Sequence, residues 1–359
     1  MEDVVSTMTA NPLARDLDHV LARAGRLWEE LRGARLFITG GSGFFGCWLL
    51  ETFLHANEEL ELGASVVVLT RNASAFGKKA PHLAAHRDVT LQQGDVRSFE
   101  FADGVFSHVI HAAVDARPPR DRRERLVVFD TIVEGTRRAL EFARRARARR
   151  FLLASTGAVY GRQPADLTHV PEEYAGGPDC LNAALAGAEA KRAAEMMCAV
   201  YADADLVPAI ARCFSFVGPY LPLDAHFAAG NFIGDALAGG PIRVHGDGTP
   251  ERSYLYAADL AIWLWTILLR GQSMRSYNVG SEAAISIAAL AQAVAERFTP
   301  APAVQIAGRS AAGAAPERYV PQTARARTEL GLAMTVDVDE ALTRTVDWYR
   351  GRAAATPCP

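Results

Sequence analysis

The sequence predicts an α/β protein, a doubly wound parallel sheet with a smaller C-terminal lobe. Three observations support this class. Short runs of apolar residues alternate with helical patterns, and each run is almost wholly apolar, as in strands buried on both faces. A glycine cluster at 40–46 stands between the first run and the helix that follows it. Beyond about residue 178 the alternation loosens, which indicates a second lobe.

The elements follow one another in a regular order. Apolar residues at helical spacing over 12–31 predict an amphipathic helix ahead of the main fold. The apolar runs after it predict buried strands, and longer periodic segments predict helices between them. The strands are expected at 35–39, 66–69, 89–92, 108–111, 151–154 and 207–212, and the helices at 45–56, 131–148 and 184–202. The Ala/Gly/Pro-rich segment 301–316 is expected to be a loop.

The composition excludes several classes of protein. The 359 residues carry 38 Lys and Arg against 41 Asp and Glu, a formal net charge of −3 that favours neither nucleic acid nor a membrane surface. The 5 cysteines and 9 histidines are scattered, which predicts free thiols and no metal site. The N-terminus lacks a signal-peptide pattern, and the apolar stretch 260–269 is shorter than the roughly 20 residues that cross a bilayer. We expect a cytoplasmic protein without nucleic-acid or membrane partners.

The turn after the first strand reads TGGSGFFG and predicts a dinucleotide site. Gly40 lets the chain turn tightly, Gly43 removes a side chain where a pyrophosphate approaches, and Gly46 lets the helix pack on the strand. The next helix begins near Phe44 and Phe45 and offers free N–H groups and a partial positive charge to the phosphates. A glycine triplet alone is weak evidence, but between a strand and a helix it becomes strong.

Residues at the ends of the next strands are candidates for the remaining cofactor contacts. Thr70 ends the second strand, where a hydroxyl can bond a ribose, and Arg71 can pair with a 2′-phosphate. Arg71 tilts the preference toward NADP, but an arginine after a strand is exposed by default, so the choice between NAD and NADP stays open here. Further candidates lie at the adenine edge and beneath the cofactor, although each is also ordinary for a strand end: Asp95, Val96, His111, Ala112 and Ala113.

Seven segments, in the expected order, resemble the extended short-chain dehydrogenase/reductase family. They are TGGSGFFG (39–46), GDV (94–96), HAA (111–113), STGAVYG (155–161), AKRAAE (190–195), VGP (217–219) and RSYLYAADLA (252–261). The resemblance covers roughly residues 34–350 and is closest to NAD-dependent nucleotide-sugar epimerases, 4,6-dehydratases and decarboxylases. It implies a Rossmann domain, a nucleotide-diphosphate sugar as substrate, and oxidation of a sugar hydroxyl, usually at C4, to a ketone. It also implies a homodimer in which helices 131–148 and 184–202 pair into a four-helix bundle.

The sequence departs from this family at the catalytic base. In the family a tyrosine four residues before a lysine takes the hydroxyl proton, while the lysine lowers the pKa of that tyrosine and holds the nicotinamide ribose. Lys191 stands in a matching context, but the position of the tyrosine holds Gly187. Three interpretations stay open. In the first, the protein has lost catalytic activity but still binds the cofactor and the nucleotide sugar. In the second, the register of the motif differs, or water relays the hydroxyl proton. In the third, another residue acts as the base, such as Glu189, Cys180 or Tyr160.

Thr156 ends the fifth strand and matches the family's Ser or Thr that hydrogen-bonds the reacting oxygen. A strand-end hydroxyl bonded only to backbone is the alternative, and the same hydroxyl is the one through which a water relay would run. Dehydratases of the family continue with Asp-Glu and decarboxylases keep the Glu, whereas this chain has Gly157 and Ala158. Their lack of titratable groups favours the epimerase pattern, although the segment 252–261 looks more like the dehydratase and decarboxylase branch.

The second lobe is expected to bind the nucleotide sugar. A nucleotide diphosphate needs cations for its phosphates and a flat slot for its base. Arg252 matches the family's pyrophosphate arginine, Arg243 is a second candidate, and Asn231 and Phe232 lie where the substrate loop contacts base and phosphates. The chain then divides into an N-terminal helical extension, a Rossmann domain, the last Rossmann elements mixed with a substrate lobe, and a tail: 1–33, 34–178, 179–350 and 351–359.

Two functions remain open at this point. The first is an NAD(P)-dependent enzyme of the epimerase/dehydratase type that acts through a 4-keto-sugar intermediate. The second is a catalytically impaired protein that still binds the cofactor and the nucleotide sugar. The glycine turn and Lys191 are expected under both, whereas Gly187 favours the second.

Overall fold

A computed structural model of the chain describes residues 11–114, 119–225, 227–309 and 316–355. Strands and helices alternate through its first half, as predicted. The bounds there are α1 (Ala14–Ala24), β1 (Arg35–Thr39), α2 (Phe44–Glu59), β2 (Ser65–Thr70), α3 (Ala73–Lys79), α4 (Pro81–Ala84), β3 (Val89–Gln93), β4 (His108–His111), α5 (Arg122–Arg145) and β5 (Arg150–Thr156).

Shorter strands enter the pattern in the second half. The bounds there are α6 (Ala186–Tyr201), β6 (Val207–Cys213), β7 (Ser215–Val217), α7 (Ala228–Leu237), β8 (Ile242–Val244), β9 (Glu251–Tyr256), α8 (Ala257–Arg270), β10 (Ser276–Val279), β11 (Ala284–Ser286), α9 (Ile287–Ala295), β12 (Val304–Ile306), β13 (Arg318–Tyr319), α10 (Ala324–Leu330) and α11 (Val338–Ala355).

Seven parallel strands form the main sheet in the order β10-β6-β5-β4-β1-β2-β3. The chain runs outward from β1 to β3, returns to β4 beside β1, and then runs outward on the other side. This order confirms the predicted doubly wound sheet. In such sheets ligands bind at the carboxyl ends of the strands where the direction reverses. That crevice lies between β1 and β4.

Both faces of the sheet are covered because side chains alternate along each strand. On β1, Leu36 and Ile38 belong to one hydrophobic core, which includes residues of α1, α2 and α8. Phe37 points to the opposite core, which includes residues of α5 and α6 and where its ring lies 4.3 Å from the ring of Phe142. The strands are therefore apolar on both faces, as the sequence suggested.

The second lobe is built on two small sheets. One has the order β11-β9-β13, with β7 also paired to β9, and the other joins β8 to β12. The pairing of β13 with β9 is parallel and places Tyr319 opposite Arg252. The lobe thus brings a residue late in the chain to the carboxyl end of the main sheet.

The N-terminal helical extension is part of the folded body. Its helix α1 ends at Ala24, and a 3₁₀ helix continues to Leu31, so the single helix expected over 12–31 is two elements. Asp16 on α1 is buried, accepts a hydrogen bond of 2.5 Å from the hydroxyl of Tyr256, and forms an ion pair with Arg344 of α11. The first helix is thereby tied to the last.

Further elements differ from the sequence prediction. Helix α5 begins at Arg122 rather than 131, because its first turn is polar and residues 126–129 follow as an unbroken apolar run without a helical period. The side chain of Asp121 caps this helix by accepting the N–H of Glu124 at 2.9 Å. The edge strand β10 was not predicted, since Asn278 interrupts its apolar run. Segment 301–316 contains β12, and residues 310–315 lie outside the described ranges. The domain boundaries stay a prediction.

Candidate functional site

The turn between β1 and α2 leaves room for a ligand's phosphates. Gly40 has a φ of +76°, and a Cβ there would lie 2.6 Å from the carbonyl oxygen of Ala112. A Cβ at Gly46 would overlap the backbone of Gly41, so strand and helix meet with no side chain between them. Gly43 directly precedes the helix and is exposed. The turn, with the unbonded N–H groups of the first helical turn, fits a dinucleotide pyrophosphate.

Aromatic and basic side chains hold this turn in place. The ring of Phe45 meets that of Phe216 edge-on, with 5.1 Å between centroids, and the ring of Phe44 lies 5.8 Å from that of Phe45. Lys79 donates a hydrogen bond of 2.9 Å from Nζ to the carbonyl oxygen of Ser42. Because both phenylalanine rings pack, these two residues can offer a cofactor their backbone N–H groups.

The ends of β2 and β3 lie beside the turn. The hydroxyl of Thr70 is buried 3.5 Å from the hydroxyl of Ser42, and Arg71 follows it as an exposed residue. Asp95 forms an ion pair of 2.9 Å with the arginine two positions on, and this guanidinium holds the pKa of Asp95 below its ordinary value. Val96 is buried in the core. Asp95 is thus an ionised carboxylate in this corner, while Val96 contributes packing.

The imidazole of His111 belongs to a buried structural network. Its Nδ1 lies 2.8 Å from the hydroxyl of Thr39 and its Nε2 lies 3.1 Å from the hydroxyl of Thr136. Burial lowers the pKa of His111 to about 3, so the ring is neutral. The N–H of Ala113 donates to Thr39 at 3.3 Å, and the backbone of Ala112 lies against the glycine turn. His111 therefore shapes the floor of the crevice, and the two alanines present its surface.

Lys191 is held at the end of β5. Its Nζ donates a hydrogen bond of 2.6 Å to the carbonyl oxygen of Ala154, and its side chain is buried. Burial lowers the pKa of Lys191 to about 8. Below it, Ser155 donates to the carboxylate of Glu195 at 2.6 Å, and Arg212 forms an ion pair with that carboxylate at 2.7 Å. A buried cation is thus fixed one strand away from β4 and two from the glycine turn.

The position one helical turn before Lys191 is open. A Cβ at Gly187 would meet a single atom within 4 Å, the Cγ1 of Val128 at 3.5 Å. Of the alternative bases, Glu189 lies 3.7 Å from the arginine three residues on, and Cys180 is exposed. Tyr160 is buried, its hydroxyl is hydrogen-bonded to an asparagine and an arginine, and burial raises its pKa to about 12. These hydrogen bonds give Tyr160 a structural role.

The hydroxyl of Thr156 has a partner that sequence reasoning missed. Its Oγ1 lies 3.2 Å from the hydroxyl of Tyr319, which also lies 3.4 Å from the carbonyl oxygen of Cys213. The ring of Phe214 packs against that of Tyr319, with 4.6 Å between centroids and 38° between the ring planes. A Cβ at Gly157 would come within 2.6 Å of that Phe214 ring. The aromatic pair thus fills the space that an acidic side chain at 157 would need.

Two of the predicted substrate residues line one cavity. Asn231 and Arg243 face a cavity of about 240 Å³ with His245 and Asp235, and the Arg243 guanidinium lies 3.7 Å from the Asp235 carboxylate. Phe232, in contrast, is 3% exposed and packs in the core. Its neighbour on α7 points to the cavity because successive helical residues differ by about 100° in direction. The side chain of Phe232 therefore does not line the cavity predicted for it.

Arg252 lies on β9 beside Tyr319. Its guanidinium forms an ion pair of 2.7 Å with Glu317 and lies 5.8 Å from the centroid of the Tyr319 ring. The side chain of Glu317 is 53% exposed, so water competes for this pair and its net worth is small. A phosphate can take the place of the carboxylate at little cost.

Neither a membrane-spanning helix nor a metal site is present within the described ranges. No helix there is long and apolar enough to cross a membrane. No group of three His, Cys, Asp or Glu side chains in that part of the chain is placed to hold a metal ion.

The fold and the site together define a class. A switch point in a parallel sheet, with a glycine turn and a helix N-terminus beside it, is a feature of dinucleotide-binding α/β proteins. Residues 36–280 match the model of the NAD dependent epimerase/dehydratase family, and the chain belongs to this family. The resemblance seen in the sequence is thereby confirmed.

Individual relatives differ in the reaction that their names give. The chain is 28% identical over 320 residues to UDP-glucuronic acid decarboxylase 1 of Arabidopsis thaliana, covering 89% of this chain and 70% of the relative. Its structure is similar to UDP-glucose 4-epimerase of Thermotoga maritima, with a TM-score of 0.74 and 19% identity over 89% of this chain and 99% of the other. It is also similar to a dTDP-glucose 4,6-dehydratase of Streptomyces venezuelae with NAD bound, with a TM-score of 0.74 and 24% identity over 89% and 98% of the two chains.

The residues missed from the sequence were Tyr319, Phe214 and His245. Tyr319 is separated from Thr156 by 163 positions, and a two-residue strand has no detectable period. Phe214 lies within residues 36–280, which match the family model. Its contact with position 157, however, depends on the turn of the chain after β5. His245 could have been predicted from its place two residues after Arg243, because alternation along a strand places both side chains on one face.

Proposed function

We propose that the protein binds NAD and a nucleotide-diphosphate sugar, and oxidises a sugar hydroxyl to a ketone as the first step of an epimerase-type reaction. The observation that carries the proposal is the placement of Lys191 and Thr156 at the carboxyl end of β5, beside the crevice that holds the glycine turn. The seven matching sequence segments and the fold agree with a family whose members bind NAD.

Each residue of the site has a role in this proposal. The N–H groups at the start of α2 bind the pyrophosphate, and the ammonium of Lys191 binds the nicotinamide ribose. When bound, NAD supplies the hydride acceptor. Thr156 donates a hydrogen bond to the sugar oxygen that is oxidised, and thereby orients it. The proton that this oxygen loses passes to solvent water, because position 187 holds no phenol to take it. Thr70 bonds the adenosine ribose, and exposed Arg71 leaves NADP as an alternative cofactor.

The second lobe supplies the contacts to the nucleotide. Asn231 and Arg243 line the cavity of about 240 Å³ and suit a base and its ribose, while Arg252 suits a phosphate. Relatives are named for UDP-linked and dTDP-linked sugars, so these two nucleotides are the first to test.

A second function is favoured by one observation, the open space at position 187. A glycine there leaves Lys191 without the phenol that takes the proton in the family, and the ring of Phe214 leaves no room for an acid at 157. The protein would then be a binding protein for the cofactor and the nucleotide sugar, without turnover.

Exposed apolar side chains support a homodimer. Met196 and Val200 lie four residues apart on α6 with 65% and 73% of their surface exposed, and Val127 on α5 is 51% exposed. Residues four apart share one face of a helix. The pair of helices α5 and α6 therefore offers an apolar face to a second copy, as the family resemblance implies.

The deciding experiment combines binding with single-turnover absorbance. Mass spectrometry of the purified protein identifies co-purified dinucleotide and nucleotide sugar. The NAD-loaded protein is then mixed with UDP-, dTDP-, GDP- and CDP-sugars while the reduced-nicotinamide band is recorded. Binding with hydride transfer supports the enzyme, and binding without it supports the binding protein. Failure to bind either ligand would contradict both functions.

A further inference from the structure

Tyr319 brings a second hydroxyl to Thr156 from the other lobe of the protein. The two side-chain oxygens are 3.2 Å apart, at the carboxyl end of β5. Tyr319 reaches this point because β13 pairs with β9, and its ring is fixed by packing against Phe214. Tyr319 is half-buried. The site therefore contains a phenol. This phenol lies 132 positions after Gly187 along the chain.

We propose that Tyr319 is a substrate-binding residue, whose hydroxyl and that of Thr156 together bind one oxygen of the sugar. This inference rests on the proposed function, because it needs a nucleotide sugar in the crevice. It assigns to β13 a part in sugar recognition for which neither the family motif nor the pattern of the sequence provides a candidate.

The geometry of the two hydroxyls suits a shared ligand. An oxygen about 2.8 Å from each of two hydroxyls that are 3.2 Å apart completes a nearly equilateral triangle, so both bonds form without strain. Thr156 already accepts the N–H of Ala158 at 3.2 Å, and its contact of 3.2 Å with the Tyr319 hydroxyl is long for an O–H···O bond, so this contact can be exchanged for a bond from Thr156 to a ligand oxygen. The Tyr319 hydroxyl lies 3.4 Å from the Cys213 carbonyl, which is long for an O–H···O bond. A ligand oxygen can therefore take this proton.

The protonation state of the phenol fits a donor rather than a base. Burial raises the pKa of Tyr319 to about 12, and the hydrogen bond with Thr156 and the charge of Arg252 only partly oppose this effect. At neutral pH the phenol keeps its proton and donates it. A donor of this kind binds a ketone oxygen as well as a hydroxyl oxygen, so it holds the sugar before and after oxidation. Tyr319 does not replace the proton acceptor that is missing at position 187.

The same pair of strands serves the neighbouring phosphates. Arg252 stands opposite Tyr319 in the register of β9 and β13, and its guanidinium lies 5.8 Å from the tyrosine ring. A nucleotide sugar with its phosphates at Arg252 would bring the attached sugar toward the Tyr319 hydroxyl. Arg252 would therefore bind the phosphates, and Tyr319 the sugar attached to them.

The test compares UDP-glucose with UDP, which lacks the sugar, by isothermal titration calorimetry. Tyr319→Phe keeps the ring that packs against Phe214 and removes only the hydroxyl. We expect this variant to bind UDP-glucose about 5-fold to 10-fold more weakly than wild type and to bind UDP with unchanged affinity. The matched control is Tyr174→Phe, in the same small hydrophobic cluster, for which both affinities should be unchanged.

The outcomes separate this inference from the proposed function. If wild type binds UDP-glucose and Tyr319→Phe binds it equally well, the inference is wrong and the proposed function stands. If Tyr319→Phe weakens UDP and UDP-glucose by the same factor, the role of the hydroxyl is structural and the inference is again wrong. If wild type binds none of the UDP-, dTDP-, GDP- and CDP-sugars, the proposed function fails and this inference fails with it.

Discussion

The Nζ atom of Lys191 lies 2.6 Å from the carbonyl oxygen of Ala154, so a buried ammonium is fixed to the strand that ends in Thr156. A carbonyl oxygen is a weaker partner for an ammonium than a carboxylate, because it carries no full charge. Burial therefore dominates and lowers the pKa of Lys191 from 10.5 to about 8. The charge that would bind a cofactor ribose is thus lost in mildly alkaline solution.

The first prediction concerns pH. We expect the affinity for NAD to fall as the pH rises through about 8, because Lys191 then releases its proton. Calorimetric titrations of NAD at a series of pH values should show this midpoint in wild type and no such step in Lys191→Met. A midpoint that persists in the variant would assign the titration to another group.

The same shift has a consequence for stability. The folded state releases the Lys191 proton at about 8, whereas the unfolded chain holds it up to about 10.5. Between these values the unfolded state binds more protons, so the free energy of unfolding contributed by this residue rises with pH. Urea unfolding across this window should show wild type gaining stability relative to Lys191→Met. An equal slope in both proteins would show that the buried amine keeps its proton.

The second prediction compares two helical glycines. Gly46→Ala forces a Cβ into the backbone of Gly41 and should destabilise the protein by about 1–3 kcal/mol and weaken NAD binding at least about tenfold. Gly77→Ala adds a Cβ to α3 where nothing lies within 4 Å, and should stabilise by about 0.5–1 kcal/mol. Thermal unfolding and NAD titration of both variants measure this contrast. Equal effects would mean that the glycine turn is not tightly packed.

The third prediction restores the missing phenol. Gly187→Tyr adds a Cβ whose nearest neighbour is 3.5 Å away, which is an ordinary contact, so the start of the side chain meets no backbone. Lys191 lies four residues later, so the new phenol stands where the family's tyrosine acts as the base. Turnover should therefore rise about 10²–10⁴-fold. Gly187→Phe is the matched control, since it adds the ring without the hydroxyl. Equal single-turnover rates in Gly187→Tyr and wild type would show that another base already serves the site.

The fourth prediction concerns assembly. Light scattering should give the mass of a dimer for wild type and of a monomer for the double variant Met196→Glu with Val200→Glu, because charges on that face oppose burial. Val105→Glu is the control, since Val105 is 61% exposed but belongs to neither helix. A wild-type protein that is monomeric at micromolar concentration would contradict the proposed dimer.

The sheet and its glycine turn were predictable from the sequence because the signals are local. Gly40 and Gly46 follow an apolar strand within a few positions, and their role depends on φ and close approach rather than on distant partners. Thr156 and Lys191 were found through the matching segments around them. Asn231 was found in the same way, and it lines the cavity, whereas Phe232 beside it faces the core.

Other parts of the site depend on contacts between distant residues, which a single sequence does not reveal. Tyr319 reaches Thr156 only because a two-residue strand pairs with β9, and no period marks so short an element. His111 stands in a matched segment, yet the pKa of about 3 and the bonds to Thr39 and Thr136 arise from burial among side chains brought together by the sheet.

The ion pair between Asp16 and Arg344 has a consequence for the order in which the chain assembles during its synthesis. Arg344 is synthesised after Asp16, and 327 residues stand between them, since the two positions differ by 328. Until then a carboxylate that is 5% exposed in the finished fold must stay in water, because burying it unpaired costs several kcal/mol. We therefore expect helix α1 to complete its docking only after Arg344 has been synthesised.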